Sequence, residues 1–112
     1  MKSYTDISQS KKLAEILALE SADMSYLSEE SLVPKIIYNG MAFFNSKEER
    51  PTNIIYCWSL TALLDVLPSA TLDSSSDHYY RLYCMTRYTE WYDNPIDACV
   101  AMIERLHEQN LL

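Results

Sequence analysis

The stretch Cys57-Trp58-Ser59-Leu60-Thr61-Ala62-Leu63-Leu64-Asp65-Val66-Leu67-Pro68 constrains the fold more than any other part of the chain. Ser59 can cap a helix, its hydroxyl accepting from an otherwise orphaned N–H of the first turn. Trp58 just before that cap and Leu63 four residues into the helix have the spacing of a hydrophobic staple. Leu60, Leu63, Leu64 and Leu67 follow at i, i+3, i+4 and i+7, on one helical face. Pro68 ends the run, because its ring disfavours the helical conformation at Leu67. Two turns of helix are not stable alone, so the leucine face must lie against something larger. The run Asn53-Ile54-Ile55-Tyr56-Cys57 reads as a buried strand leading into the helix. Strand and helix are expected to form the centre, with the flanking elements around them.

A first helix is expected from about Ser8 to Leu19, capped by Asp6 or Ser8, with Leu13, Ile16 and Leu17 inward and Lys11 and Lys12 in water. Glu20 to Glu30 shows no sustained period. Pro34 marks the start of a strand. Asn39-Gly40 predicts a type I′ hairpin in which Ile36-Ile37-Tyr38 pairs with Met41-Ala42-Phe43. Residues 45–51 read as an exposed charged loop, and Ser74-Ser75-Ser76-Asp77 as a polar one. Tyr79 to Tyr92 is dense in aromatic and β-favouring residues. It is long for one strand, so a hairpin turning near Thr86-Arg87 is expected. Asn94 caps the last helix, Pro95 takes its first position, and Asp97 favours the positive end of the dipole. Ile96, Cys99, Val100, Ile103 and Leu106 form its buried stripe, and Asn110-Leu111 resembles a left-handed C-terminal stop. The order α, ββ, β, α, ββ, α predicts an α+β fold over residues 1–112 as a single domain. In it a mostly antiparallel sheet of three to five strands carries about three helices, mainly on one face.

With 112 residues, 48% of them hydrophobic, the chain can build a core without metal or disulfide support. No apolar run approaches the roughly 20 residues that span a bilayer. The N-terminus, Met1-Lys2-Ser3-Tyr4-Thr5-Asp6, lacks a signal peptide's apolar stretch. A soluble cytoplasmic protein is expected, with no cofactor and no membrane partner. The three cysteines, Cys57, Cys84 and Cys99, sit among apolar residues and suit reduced, buried thiols. A net charge of −7 argues against binding nucleic-acid backbone and fits a solvated acidic surface or a basic partner.

Glu20-Ser21-Ala22-Asp23-Met24, Cys57-Trp58-Ser59-Leu60 with Leu63-Leu64 and Leu67-Pro68, Tyr80-Arg81-Leu82, Trp91-Tyr92, and Asn94-Pro95-Ile96-Asp97-Ala98-Cys99 with Leu106-His107-Glu108 together resemble a family of small uncharacterised proteins. That family is common in gut Bacteroides-type bacteria and in their phages and prophages. The resemblance covers nearly the whole chain. It implies a cytoplasmic accessory protein of mobile-element origin and brings no catalytic residues.

Candidate chemistry is sparse. Cys57 lies close to a helix N-terminus, but a nucleophilic role needs a base, and His78 and His107 are both distant in sequence. Asp73, Asp77 and His78 lack an established metal-ligand spacing, and His107 reads as a capping or packing residue. A single glycine excludes the P-loop and the dinucleotide fingerprint. Two surfaces remain. On the late strand Tyr80, Leu82 and Cys84 point inward, leaving Arg81, Tyr83, Met85 and Arg87 on the other face. Arginine forks beside an aromatic plane suit a protein hot spot or a nucleotide-like anion. The bland reading is a solvent face whose arginine stems cover tyrosine rings, and a turn at Thr86 removes Arg87 from the row. The second surface is the acidic stretch Glu15, Glu20, Asp23, Glu29 and Glu30, which serves either solubility or a basic partner. The leading expectation is a non-enzymatic phage or prophage accessory protein. It acts by protein–protein interaction, inhibition of a host defence or regulatory protein being one such role. The alternative is a protein that binds or sequesters a nucleotide-like anion. Strand edges also leave a homodimer open.

Overall fold

In the computed structural model, residues 2–28, 30–36 and 54–112 are described. The chain divides into two compact units, Thr5–Ser59 and Met1–Tyr4 with Leu60–Leu112. The division falls between Ser59 and Leu60, inside the stretch expected to be the centre. The strand before it and the helix after it therefore belong to different units.

In the Thr5–Ser59 unit, helix α1 (Ile7–Ile16) starts at Asp6. The Asp6 carboxylate accepts the Gln9 N–H at 2.8 Å and the Gln9 side chain accepts the Asp6 N–H at 3.2 Å, a closed capping box. Leu13 is fully buried, as expected. The helix ends at Ile16 rather than Leu19, because the backbone is already extended at Leu17. A single 3₁₀ turn (Leu19–Ser21) follows.

The aperiodic stretch after Glu20 contains strand β1 (Met24–Tyr26), which is the middle of a sheet. It pairs antiparallel with β2 (Lys35–Ile36), Met24 opposite Ile36, and with β3 (Ile55–Cys57), Ser25 opposite Tyr56. Three residues are too few to display a period of two, and both Ser25 and Tyr26 are buried, which hides the alternation. Helix α1 packs against β3. Pro34 does stand directly before β2. The Asn39-Gly40 hairpin and the loop at 45–51 lie outside the described residues.

Thr5 joins these pieces. It is fully buried, and its N–H donates to the Trp58 carbonyl at 2.9 Å while its Oγ1 accepts the Trp58 N–H at 3.1 Å. Oγ1 also lies 2.7 Å from the Ser10 hydroxyl in α1. The Thr5 carbonyl accepts from the Tyr26 hydroxyl at 2.8 Å and from the Cys57 thiol at 3.3 Å. The Trp58 indole N–H donates to Ser21 Oγ at 2.9 Å.

The other unit holds helix α2 (Leu60–Val66), strands β4 (Thr71–Ser74), β5 (Tyr80–Cys84) and β6 (Arg87–Tyr88), and helix α3 (Pro95–Glu108). In α2, Leu63 and the following Leu67 are buried while Leu60 and Leu64 are half-buried, and α2 packs on α3. Strand β5 is central, with β4 and β6 antiparallel on either side. Strand β4 was not legible, since its residues Thr71-Leu72-Asp73-Ser74 carry one large apolar side chain. Helix α3 covers the face of β5 where Leu82 and Cys84 are buried. Its cap is Asn94, whose side chain accepts the Asp97 N–H at 2.9 Å. It ends with Asn110 at φ 57°, Asn110 N–H on the His107 carbonyl and Leu111 N–H on the Leu106 carbonyl. This is a Schellman stop. The fold is thus α+β with antiparallel pairing and, among the described residues, three α-helices. Among the described residues the strands form two three-stranded sheets where the sequence suggested one.

The late hairpin turns at Met85-Thr86, one residue earlier than expected. Both sit in the left-handed region, at φ 51° and 64°. Two positive φ values are what a type I′ turn requires and what Asn-Gly supplies without steric cost. Here a thioether side chain and a β-branched one adopt them.

Thr5→Val keeps the shape of Thr5 but orphans the Trp58 N–H and takes one partner from the Ser10 hydroxyl. It is expected to lower stability by about 2–3 kcal/mol in urea unfolding. The double change Met85→Asn with Thr86→Gly relieves the turn and is expected to raise stability by about 1 kcal/mol.

Candidate interaction face

Strand register decides which side chains share the outer face of the β4–β5–β6 sheet. Asp73 lies opposite Arg81, Thr71 opposite Tyr83, and Tyr83 opposite Tyr88. Directly opposed residues point to the same side. Arg87 pairs with Cys84 and so lies on the inner side, where its guanidinium reaches back to the Met85 carbonyl at 2.6 Å. The expected row Arg81, Tyr83, Arg87 is therefore corrected: Tyr88 takes the place given to Arg87. Met85 sits in the turn and is exposed.

A bulge adds one more member. Tyr80 bridges Tyr92 while Tyr83 pairs with Tyr88, so the returning segment carries one residue more than β5 over this span. The Thr89 N–H donates to the Leu82 carbonyl and the Leu82 N–H to Thr89 Oγ1, both at 2.9 Å, which pins the segment beside the bulge. Such an extra residue re-aims the side chains beyond it. Without it Trp91 would oppose Tyr80 and point inward; with it the indole joins Arg81.

The result is a continuous row. The Tyr83 and Tyr88 ring centroids are 4.7 Å apart and tilted by 43°. The Arg81 guanidinium carbon lies over the Tyr88 ring at 4.1 Å and over the Trp91 ring at 4.7 Å, both within cation–π range. Arg81 Nε donates to Asp73 Oδ2 at 3.2 Å, so its charge is matched locally. Tyr88 and Trp91 remain 49% and 45% exposed, which leaves ring surface open to solvent. Arg105 Nη1 on α3 donates to the Tyr88 carbonyl at 2.8 Å and ties β6 down.

Beside Trp91 lies the tight loop between β4 and β5. The Ser75 N–H donates to the Tyr79 carbonyl at 2.8 Å, and Ser75 Oγ accepts from the N–H groups of Asp77 and Tyr79 at 3.3 and 3.1 Å. His78 turns the corner at φ 65°. Ser75, Asp77, Tyr79 and Trp91 line an open depression of about 430 Å³.

The other candidates are placed differently. Asp23 is not part of an open acidic face: its carboxylate accepts the Ser59 N–H at 2.9 Å and the Ser59 hydroxyl. Glu15, Glu20 and Glu30 are exposed, and Glu29 lies outside the described residues. Cys57, Cys84 and Cys99 are all fully buried. Burial pushes each thiol above its ordinary value of 9.0, that of Cys99 to about 12. At Cys57, hydrogen bonds from Thr5, Ser10 and Tyr26 pull the other way without winning. At Cys84 the charge of Arg87 does the same. Asp73 serves Arg81, and among the described residues no three His, Cys, Asp or Glu side chains come together to hold a metal ion. His107 is exposed in the last turn of α3, where its carbonyl joins the Schellman stop. No described helix is long and apolar enough to cross a membrane.

Tyr88, Trp91, Tyr79 and Asp73 were missed as members of this face. The hairpin's two-residue turn is the signal that recovers Tyr88, since it fixes the register. The bulge that brings in Trp91 leaves no sequence signal here. No protein-family model, curated protein or solved structure matches the chain.

A thiol whose proton is held more tightly in the folded state stabilises that state fully below the unfolded pKa. The contribution is lost as pH rises through the folded one. For Cys99 this window opens near 9.0 and closes near 12. Wild type is expected to lose stability faster than Cys99→Ala as pH is raised from about 8 through about 10, measured as urea midpoints against the common tyrosine background.

Proposed function

We propose that the chain is a non-enzymatic protein-interaction module whose contact surface is the row Tyr83, Tyr88, Arg81 and Trp91. The observation that carries this reading is the Arg81 guanidinium, held over two rings that stay half-exposed. Tyrosine, tryptophan and arginine are the residue types that dominate protein hot spots. Their immobilisation on a sheet lowers the ordering cost of binding. A second support is chemical: three buried, protonated thiols offer no nucleophile at neutral pH.

The Asp73 carboxylate on Arg81 favours a protein partner over a nucleotide-like anion, because an incoming phosphate would meet a negative charge beside its receptor. The net charge of −7 and the exposed Glu15, Glu20 and Glu30 fit a partner with a basic surface, which would be steered electrostatically. The resemblance to small proteins of Bacteroides-type bacteria and their phages supports reading such a module as a mobile-element accessory factor. An inhibitor of a host defence or regulatory protein is one such role, and the cytoplasm is its setting.

Arg81→Ala removes an exposed cation–π contact and a part-exposed ion pair, and so costs about 1 kcal/mol of stability. The fold is expected to survive. In quantitative capture from a Bacteroides-type lysate, a protein retained by wild type is expected to drop about tenfold or more with Arg81→Ala and with Tyr88→Ala. Equal retention by wild type and both variants overturns the reading. Thermal stabilisation by nucleotides that vanishes in Arg81→Ala points instead to the anion.

A further inference from the structure

We propose that the depression formed by Ser75, Asp77, Tyr79 and Trp91 receives the cationic head of a lysine or arginine side chain from a basic partner. The proposal rests on the interaction reading and names the partner's chemistry. Two aromatic side chains, Tyr79 at 48% and Trp91 at 45% exposure, bring ring surface to the opening. Ring faces of this kind attract ammonium and guanidinium groups, and tryptophan does so best. Trp91 already holds one such group, since the Arg81 guanidinium lies 4.7 Å from its ring centroid.

Charge decides the class of occupant. The Asp77 carboxylate is exposed and makes no hydrogen bond or ion pair among the described residues; the hydrogen bond at Asp77 is that of its backbone N–H to Ser75. Asp73, by contrast, is engaged by Arg81, so that pair is neutral and does not repel an arriving cation. An apolar guest would leave Asp77 without a counter-charge, and an anion would be repelled by it. A cation satisfies the carboxylate and the rings together.

Shape fits a side chain carried on a peptide. The depression, about 430 Å³, is shallow and broadly open to solvent, so a side chain can lie against it without leaving water entirely. The loop that carries Asp77 and Tyr79 is held in place, because the Ser75 hydroxyl and N–H bond its backbone. A long side chain can enter tip first while its backbone stays along the rim.

The test uses the full chain and a fluorescein-labelled decapeptide of alternating lysine and serine. A second peptide replaces each lysine by the neutral norleucine. Anisotropy is expected to show binding of the lysine peptide and none of the norleucine peptide. Asp77→Asn and Trp91→Leu are each expected to weaken binding about threefold, and the double variant about tenfold. Glu108→Gln lowers the net negative charge as much as Asp77→Asn does, and is expected to leave affinity within about twofold. Equal binding of the two peptides overturns the proposal. So does an Asp77→Asn effect no larger than that of Glu108→Gln, since binding would then follow net charge. If a protein captured from lysate is lost with Tyr88→Ala but kept with Asp77→Asn and Trp91→Leu, the row reading stands and the cation receptor falls. If the lysine peptide binds with the stated dependence while no captured protein depends on Tyr88, the receptor stands and the broader reading falls.

Discussion

Thr5 is where the first unit is held together, and it does so with polar atoms. The strands around it are two or three residues long, so their ladders supply few hydrogen bonds. A buried threonine that serves Trp58 through both N–H and Oγ1, meets Ser10 in α1, and accepts from Tyr26 and Cys57 links helix, strand and the chain after β3 at one point. Fully satisfied polar networks of this kind specify one arrangement, because any displacement leaves a buried donor or acceptor unmatched. Burial, not this network, keeps Cys57 quiet: the hydrogen bonds lower its thiol's affinity for the proton, and burial outweighs them.

The helices were legible because their ends carry chemistry. Asp6, Asn94 with Pro95, Pro68 and Asn110 announce starts and stops through groups that act within one turn of themselves. The antiparallel α+β character also followed from local signals. What stayed hidden depends on pairing between distant segments. Strand β1 is a strand because β2 and β3 flank it, and Met24-Ser25-Tyr26 alone says nothing of that. Spacing along the chain also did not show that the Ser59 hydroxyl and N–H meet Asp23, a residue assigned to an acidic face.

The outer face shows the same limit more sharply. Arg81 and Tyr83 were found by alternation along one strand. Replacing Arg87 by Tyr88 needed the turn position, and adding Trp91 needed a bulge. Each shift of one residue exchanges the two sides of a strand, so a face read from one strand is only a third of the surface. The completed row differs in character from the fragment: in place of two arginines beside a tyrosine it holds one neutralised arginine among three rings.

The hairpin turn adds a further consequence. Met85 and Thr86 are sterically unsuited to their left-handed conformations, yet two residues is the length that sets Tyr88 against Tyr83. Side-chain identity at the bend is thus negotiable while its length is not. One inserted residue would rotate Arg87 outward beside Arg81, place two like charges together and dismantle the stack. Among relatives of this chain, deletions and insertions at the bend should be far rarer than substitutions there.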